Sequence, residues 1–122
     1  MTVIGRRDTT HDMRVIDLVK VNLTGANLHR ANLAGVNLAQ AQLTGALLAY
    51  ANLAGAYLGR ADLTNADLSA TSLHSANLVG AKLSGAFGPG TDLTEAHLQK
   101  ADLTNVGLTT AVLAGAHLRG AN

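Results

Sequence analysis

The sequence predicts an all-β solenoid, a chain wound into stacked coils joined by parallel ladders. Three observations lead there. Leucine recurs every five residues from Leu18 to Leu118, and twenty of the twenty-one positions in that series are Leu, with Gly88 as the exception. Two residues before each leucine stands a small apolar or β-branched residue, most often Ala, and between them a polar one, usually Asn or Asp, as in Ala26-Asn27-Leu28, Ala31-Asn32-Leu33 and Ala61-Asp62-Leu63. The only aromatic rings outside histidine are Tyr50, Tyr57 and Phe87. A globular core ordinarily uses more, whereas a narrow lumen lined by Leu and Ala has no room for them.

The period excludes the simpler elements. On an α-helix five steps of about 100° spread the leucines around the axis. In a straight strand an odd repeat flips each successive leucine to the opposite face. One local geometry satisfies the pattern. Ala and Leu, two apart, point to one side of a short extended segment, and the Asn or Asp between them points to the other. The remaining two residues turn the chain, so that the next Ala and Leu again point inward.

These repeats resemble the pentapeptide repeat family, from roughly Ile16 to Asn122. The resemblance implies a right-handed quadrilateral parallel β-helix with four repeats per coil, hence about five coils. At roughly 4.8 Å between bonded strands the rod is about 25 Å long. The expected organisation is an N-terminal cap or mobile segment over residues 1–15 and the β-helix over residues 16–122. His11 to Val15 reads as a degenerate first repeat with Met13 in the leucine position.

With four repeats per coil, residues twenty apart stack. One corner then reads Gly25, Gly45, Asn65, Gly85, Asn105. Gly and Asn tolerate the positive φ that a type II turn requires at its third residue. Beside it runs a hydroxyl ladder, Thr24, Thr44, Thr64, Ser84, Thr104. A second corner has Gly35, Gly55 and Gly115 with Ser75 and Glu95 departing, and another is loosely basic, with Lys20, Gln40, Arg60, Gly80, Lys100 and Gly120. The corner at Arg30, Tyr50, Ala70, Gly90 and Thr110 is expected to use a different turn, because most of its residues resist positive φ. At the break, Pro89-Gly90 suits a type II turn. Phe87 is outward by register, and bending inward would fill the space that Gly88 leaves.

Composition bounds the function. The absence of cysteine excludes disulfides and thiolate metal sites. Arg6, Arg7, Asp8, Asp12 and Arg14 interrupt any apolar leader core, so a cytoplasmic location is expected. Leu43 to Gly59 is uncharged, but its leucines keep the five-residue period, which assigns it to the solenoid and argues against membrane insertion.

No catalytic constellation is visible, because no nucleophile is placed with a base and an orienting group. The chain is therefore read as a non-enzyme with no catalytic residues and no cofactor. His97 and His117 fall in adjacent coils and could reach one ion, but Gln99 is a poor further ligand, so no metal site is assigned. Direct nucleic-acid binding is not expected. Residues 21–122 carry five basic side chains (Arg30, Arg60, Lys82, Lys100, Arg119) and five acidic ones (Asp62, Asp67, Asp92, Glu95, Asp102).

The reading that follows is a non-catalytic protein-interaction or structural module whose partner is an unidentified protein. The resemblance implies one alternative. Quinolone-resistance members of the family look like duplex DNA to DNA gyrase, presenting an acidic rod, and commonly dimerise through C-terminal elements. This solenoid is neutral, whereas such a mimic must reproduce the charge density of phosphates.

Two groups of outward residues are candidate interaction surfaces. One is Leu47, Tyr50 and Phe87; the other is Tyr57, His97 and His117 beside Arg60 and Lys100. The last coil places Leu103, Leu108, Leu113 and Leu118 against an uncovered end, which predicts an end-to-end homodimer with twofold symmetry.

Overall fold

The structure, a computed structural model, describes residues 15–122. The chain forms a right-handed quadrilateral β-helix. Every bridge pairs residues twenty apart in parallel, from Asp17 with Asn37 to His97 with His117, so four repeats make one coil. Each of the four sides is named below by its first leucine: Leu18, Leu23, Leu28 and Leu33. The expected segment over residues 1–15, including the degenerate repeat at Met13, falls almost wholly outside the described residues. Among the described residues no helix is long and apolar enough to cross a membrane.

Hydrogen-bond accounting explains the repeat. In the unit around Leu53, the Ala51 N–H closes the preceding turn on the Leu48 carbonyl at 2.9 Å. The Asn52 N–H donates back to Ala31, while those of Leu53 and Gly55 donate forward to Ser72 and His74. The fifth donor, Ala54 N–H, has no carbonyl within the ladder, and the Asn52 Oδ1 accepts it at 3.0 Å. The same bond recurs from Val19 to Asp17, Thr24 to Asn22, Thr64 to Asp62 and Val79 to Asn77. Asn or Asp between Ala and Leu is therefore the residue that completes the backbone pairing, which an extended segment otherwise leaves one donor short.

Inside, the leucines of the five-residue series from Leu28 to Leu83 are at most 2 % exposed. The alanines from Ala41 to Ala86 opposite them are equally buried, and each fully buried Leu contributes about 1.5–3 kcal/mol. Among the described residues two polar side chains enter this lumen, Thr71 and Thr91. Each hydroxyl donates to a carbonyl of the coil before it, Thr71 to Leu48 and Thr91 to Leu68, both at 2.8 Å.

The corners correct the expectation of mixed turn types. The third residue of every turn from Lys20 to Gly120 has positive φ, between 51° at Ala70 and 74° at Gly120. Arg30, Tyr50, Ala70 and Thr110 adopt it as fully as Gly25 or Gly45. With the carbonyl of the turn's first residue bonded to the N–H of its fourth, as from Ala26 to Leu23 at 3.0 Å, all four corners are type II. The reason is cooperative. Ladder bonds run on both sides of each corner, and they outweigh the roughly 1–2 kcal/mol that a non-glycine residue loses at positive φ.

The break at Gly88 is filled from within. Phe87 stays outward and 60 % exposed, so it does not fold into the gap. A side chain at position 88 would meet Thr91 Oγ1, Leu108 Cδ2 and Leu68 Cβ, which already close around the glycine.

Candidate functional site

With the interior apolar and the turns uniform, chemistry is confined to the outward columns. On the Leu28 side the stacked outward residues are Asn27, Leu47, Asp67, Phe87 and Gly107. Leu47 and Phe87 are exposed and lie two coils apart, with Asp67 between them. The Phe87 ring leans over Gly107, with its Cδ1 3.8 Å from where a β-carbon would stand. Tyr50, on the adjoining corner, is 56 % exposed. The Arg30 guanidinium sits 4.9 Å from its ring centroid, and His29 meets it edge-on at 5.7 Å. The structure thus places Leu47, Tyr50 and Phe87 on one side of the rod. It adds Arg30 and His29, which orient Tyr50. Their stacking one coil before Tyr50 was visible in the sequence, but the ring geometry was not.

The accounting above gives these residues meaning. Leu47, Tyr57, His97 and His117 all occupy the position in the repeat where Asn or Asp would bond the N–H two residues on, and none of them can accept it through a carboxylate or amide oxygen. Phe87 is different. The residue two on is Pro89, which has no N–H, so position 87 is freed from that duty.

On the Leu18 side the outward order is Asp17, Asn37, Tyr57, Asn77, His97, His117. His97 and His117 stack in parallel, with centroids 4.7 Å apart and planes within 3°. Tyr57 belongs to the same column but Asn77 separates it from the imidazoles. Arg60 and Lys100 line the adjacent corner and lean along the rod. The Cγ of each lies 3.4 Å from the β-carbon position of the next coil's glycine, Gly80 and Gly120 respectively. The side-chain oxygen of Gln99 is buried there without a partner among the described residues. No group of three or more His, Cys, Asp or Glu able to hold a metal occurs among the described residues.

The carboxylates lie mainly elsewhere. Asp62 and Asp102 are on the Leu23 side and Asp92 on the Leu33 side. Hydrogen bonds from the hydroxyls of Thr64, Thr94 and Thr104 hold all three below the ordinary carboxylate pKa. For Asp62 and Asp102 the hydroxyl contacts measure 2.5 Å. Charge is consequently segregated. The Leu18 side and its following corner carry Lys20, Arg60, Lys100 and Arg119 against Asp17 alone, while the Leu33 side and its corner carry Asp92 and Glu95 with no Lys or Arg. The even count along the sequence conceals this. Among the described residues no Lys or Arg makes an ion pair with a carboxylate.

At the C-terminal end burial fades. Leu103 and Leu108 are partly buried, while Leu113 and Leu118 are 39 % and 43 % exposed. The N–H groups that interior coils donate forward, from Leu103 and Asn105 through to Leu118 and Gly120, have no partner among the described residues.

A quadrilateral coil of twenty residues, with Leu and Ala inside and Asn or Asp completing the backbone, defines a class of repeat rods. The family profile described as pentapeptide repeats matches residues 16–49, 51–87, 71–109 and 91–122, in eight copies. The chain belongs to the pentapeptide repeat family. Among solved structures it is similar to Rfr23 from the cyanobacterium Cyanothece 51142, at 36 % identity and TM-score 0.48, covering 78 % of this chain and 62 % of that one. It is similar also to HetL from Nostoc sp. strain PCC 7120, a protein involved in heterocyst differentiation regulation, at 40 % identity and TM-score 0.41, covering 86 % of this chain and 58 % of that one. The fluoroquinolone resistance protein QnrB1 aligns at 17 % identity and TM-score 0.44, covering 88 % of this chain and 72 % of that one. This chain spans about three fifths of the length of the two cyanobacterial proteins. No curated protein is significantly similar in sequence.

Proposed function

We propose that this chain is a non-catalytic interaction module, a rigid rod whose outward side chains bind a protein partner. The observation that carries this reading is what stands in place of backbone pairing at Leu47, Tyr57, His97 and His117. Each replaces a residue that would satisfy a backbone N–H, a bond worth about 0.5–1.5 kcal/mol net. Leu47 and Tyr57 also expose apolar surface. Gln42, Ser72, Lys82, Gly107 and Val112 forgo the same bond, so what marks Leu47 and Tyr57 is the large exposed apolar side chain set in its place, beside Tyr50 and Phe87 in the case of Leu47.

A paired substitution tests this. Leu47→Asn restores the hydrogen bond and removes the apolar side chain. Its expected result is unchanged stability, or a gain of up to about 1 kcal/mol, with loss of the partner captured by the wild-type chain. Phe87→Asn should lose the same partner with no gain in stability, because Pro89 offers no donor. Capture of the same partner by both variants would refute the reading.

Gyrase mimicry ranks below it. Residues 16–122 carry six acidic and six basic side chains, and the acids are spread over all four sides, where a phosphate mimic needs a continuous negative stripe.

The C-terminal edge supports a further element of the proposal, a twofold homodimer joined end to end. Exposed Leu113 and Leu118 and the row of unpaired N–H groups form the kind of edge that attracts another chain. Sedimentation of this 122-residue chain over a range of concentrations is expected to show reversible dimerisation. Leu113→Lys with Leu118→Lys should abolish it. A monomer throughout the range would rule the dimer out.

A further inference from the structure

We propose that the Leu18 side binds an acidic protein segment in polyproline II conformation, laid along the rod axis with a carboxylate at every third residue. This names the chemistry of one partner and rests on the interaction-module reading. Three features of the surface carry it: its charge, its spacing and its width.

The charge is one-sided. Lys20, Arg60, Lys100 and Arg119 face solvent with only Asp17 among them, and among the described residues none is neutralised by an ion pair. The exposed stacked imidazoles of His97 and His117 add N–H donors in the neighbouring column. The spacing is regular, because Lys20, Arg60 and Lys100 sit on one corner at intervals of two coils. At about 4.8 Å per coil that is roughly 9.6 Å. A polyproline II segment repeats its side-chain direction every three residues and rises about 3.1 Å per residue, hence about 9.3 Å per turn. Acids at i, i+3 and i+6 therefore meet the three cations in register. A β-strand would not, since residues three apart point to opposite faces. The conformation also suits a helix side whose ladder bonds are already used, because polyproline II keeps its own backbone solvated.

The width selects a thin ligand. Asp62 and Asp102, with Lys82 stacked between them, flank the cationic strip on the Leu23 side, and Asp92 and Glu95 flank it on the Leu33 side. Hydrogen bonds to Thr64, Thr94 and Thr104 keep the three aspartates ionised. A duplex nucleic acid carries one charge per about 1.7 Å of axis and is broad enough to meet those acids, which would repel it. A single extended peptide passes between them.

The test measures binding by the full chain, by fluorescence anisotropy, of a labelled peptide of about five Glu-Pro-Ala repeats. A peptide of the same composition with its glutamates consecutive, and a labelled oligothymidylate, serve as comparisons. Binding is expected to favour the repeat peptide and to weaken from about 20 to about 150 mM salt. Arg60→Gly with Lys100→Gly should lower its affinity about tenfold or more. The melt should hold or rise, because glycine suits the positive φ of 58° and 62° at these corners. Arg30→Gly, on the corner after the Leu28 side, should bind as wild type. Equal binding by the double variant, equal binding of the consecutive-glutamate peptide, tighter binding of oligothymidylate, or no peptide binding at low salt would each overturn the proposal. Any of these would leave the Leu47 and Phe87 test of the broader reading standing on its own result.

Discussion

Leu63→Asp is expected to abolish the cooperative melt of the rod. Leu63 has no exposed surface and stands in the middle of the column Leu23, Leu43, Leu63, Leu83, Leu103. The substitution removes a fully buried apolar side chain, worth about 2–5 kcal/mol with its cavity. It also places a carboxylate where nothing can pair with it. Among the described residues the only polar side chains in the lumen are Thr71 and Thr91, and both hydroxyls already donate to backbone carbonyls. An uncompensated buried charge adds about 3–5 kcal/mol. Together these match the whole stability of a small domain, about 5–15 kcal/mol. A solenoid has no route around a broken coil, since each coil is held only by its neighbours. Leu118→Asp at the exposed end should shift the melting temperature by only a few degrees. Circular dichroism melts of both variants decide the matter. A Leu63→Asp midpoint within about 5 °C of wild type would place that side chain outside the core.

Gly55→Val should cost about 2 kcal/mol even though nothing crowds the new side chain. No heavy atom lies within 4 Å of where the β-carbon would stand, so packing predicts little effect. The cost comes from the backbone. Position 55 holds a φ of 66°, which a β-branched residue tolerates worst. The opposite exchange at Ala70, where φ is 51°, relieves strain. Ala70→Gly should raise stability by about 0.5–1 kcal/mol, the relief exceeding the extra freedom that glycine gains in the unfolded chain. Denaturant midpoints at constant slope measure both. Destabilisation by Ala70→Gly would mean that this corner does not resist its own geometry.

Much of the fold was legible because its main signal is local and repeated. The leucine period set which residues point inward, and the middle Asn or Asp pointed outward for a reason that the structure supplies, the one N–H per repeat that the ladder cannot use. The outward placement of Leu47, Tyr50 and Phe87 followed from the same register. Where residue preference was taken as decisive, it misled. By residue preference Arg30, Tyr50, Ala70 and Thr110 resist positive φ, yet all adopt it. A preference of one or two kcal/mol at a single residue yields to ladder bonds made on both sides of the corner.

Other features depend on what stacks on what, and no single window of sequence contains them. The chain reads as neutral, but coils of twenty residues bring Lys20, Arg60, Lys100 and Arg119 to one side and leave most acids on the others. Gly88 reads as a missing leucine, but Thr91 and Leu108 already close its space. The sequence by itself determined the inward and outward alternation and the repeat, because these are set within five residues. The basic corner was already legible once residues twenty apart were stacked, whereas the tertiary structure alone decided the uniform corners and the packing at the break. These arise from bonds and contacts between residues twenty apart, which the five-residue repeat does not encode.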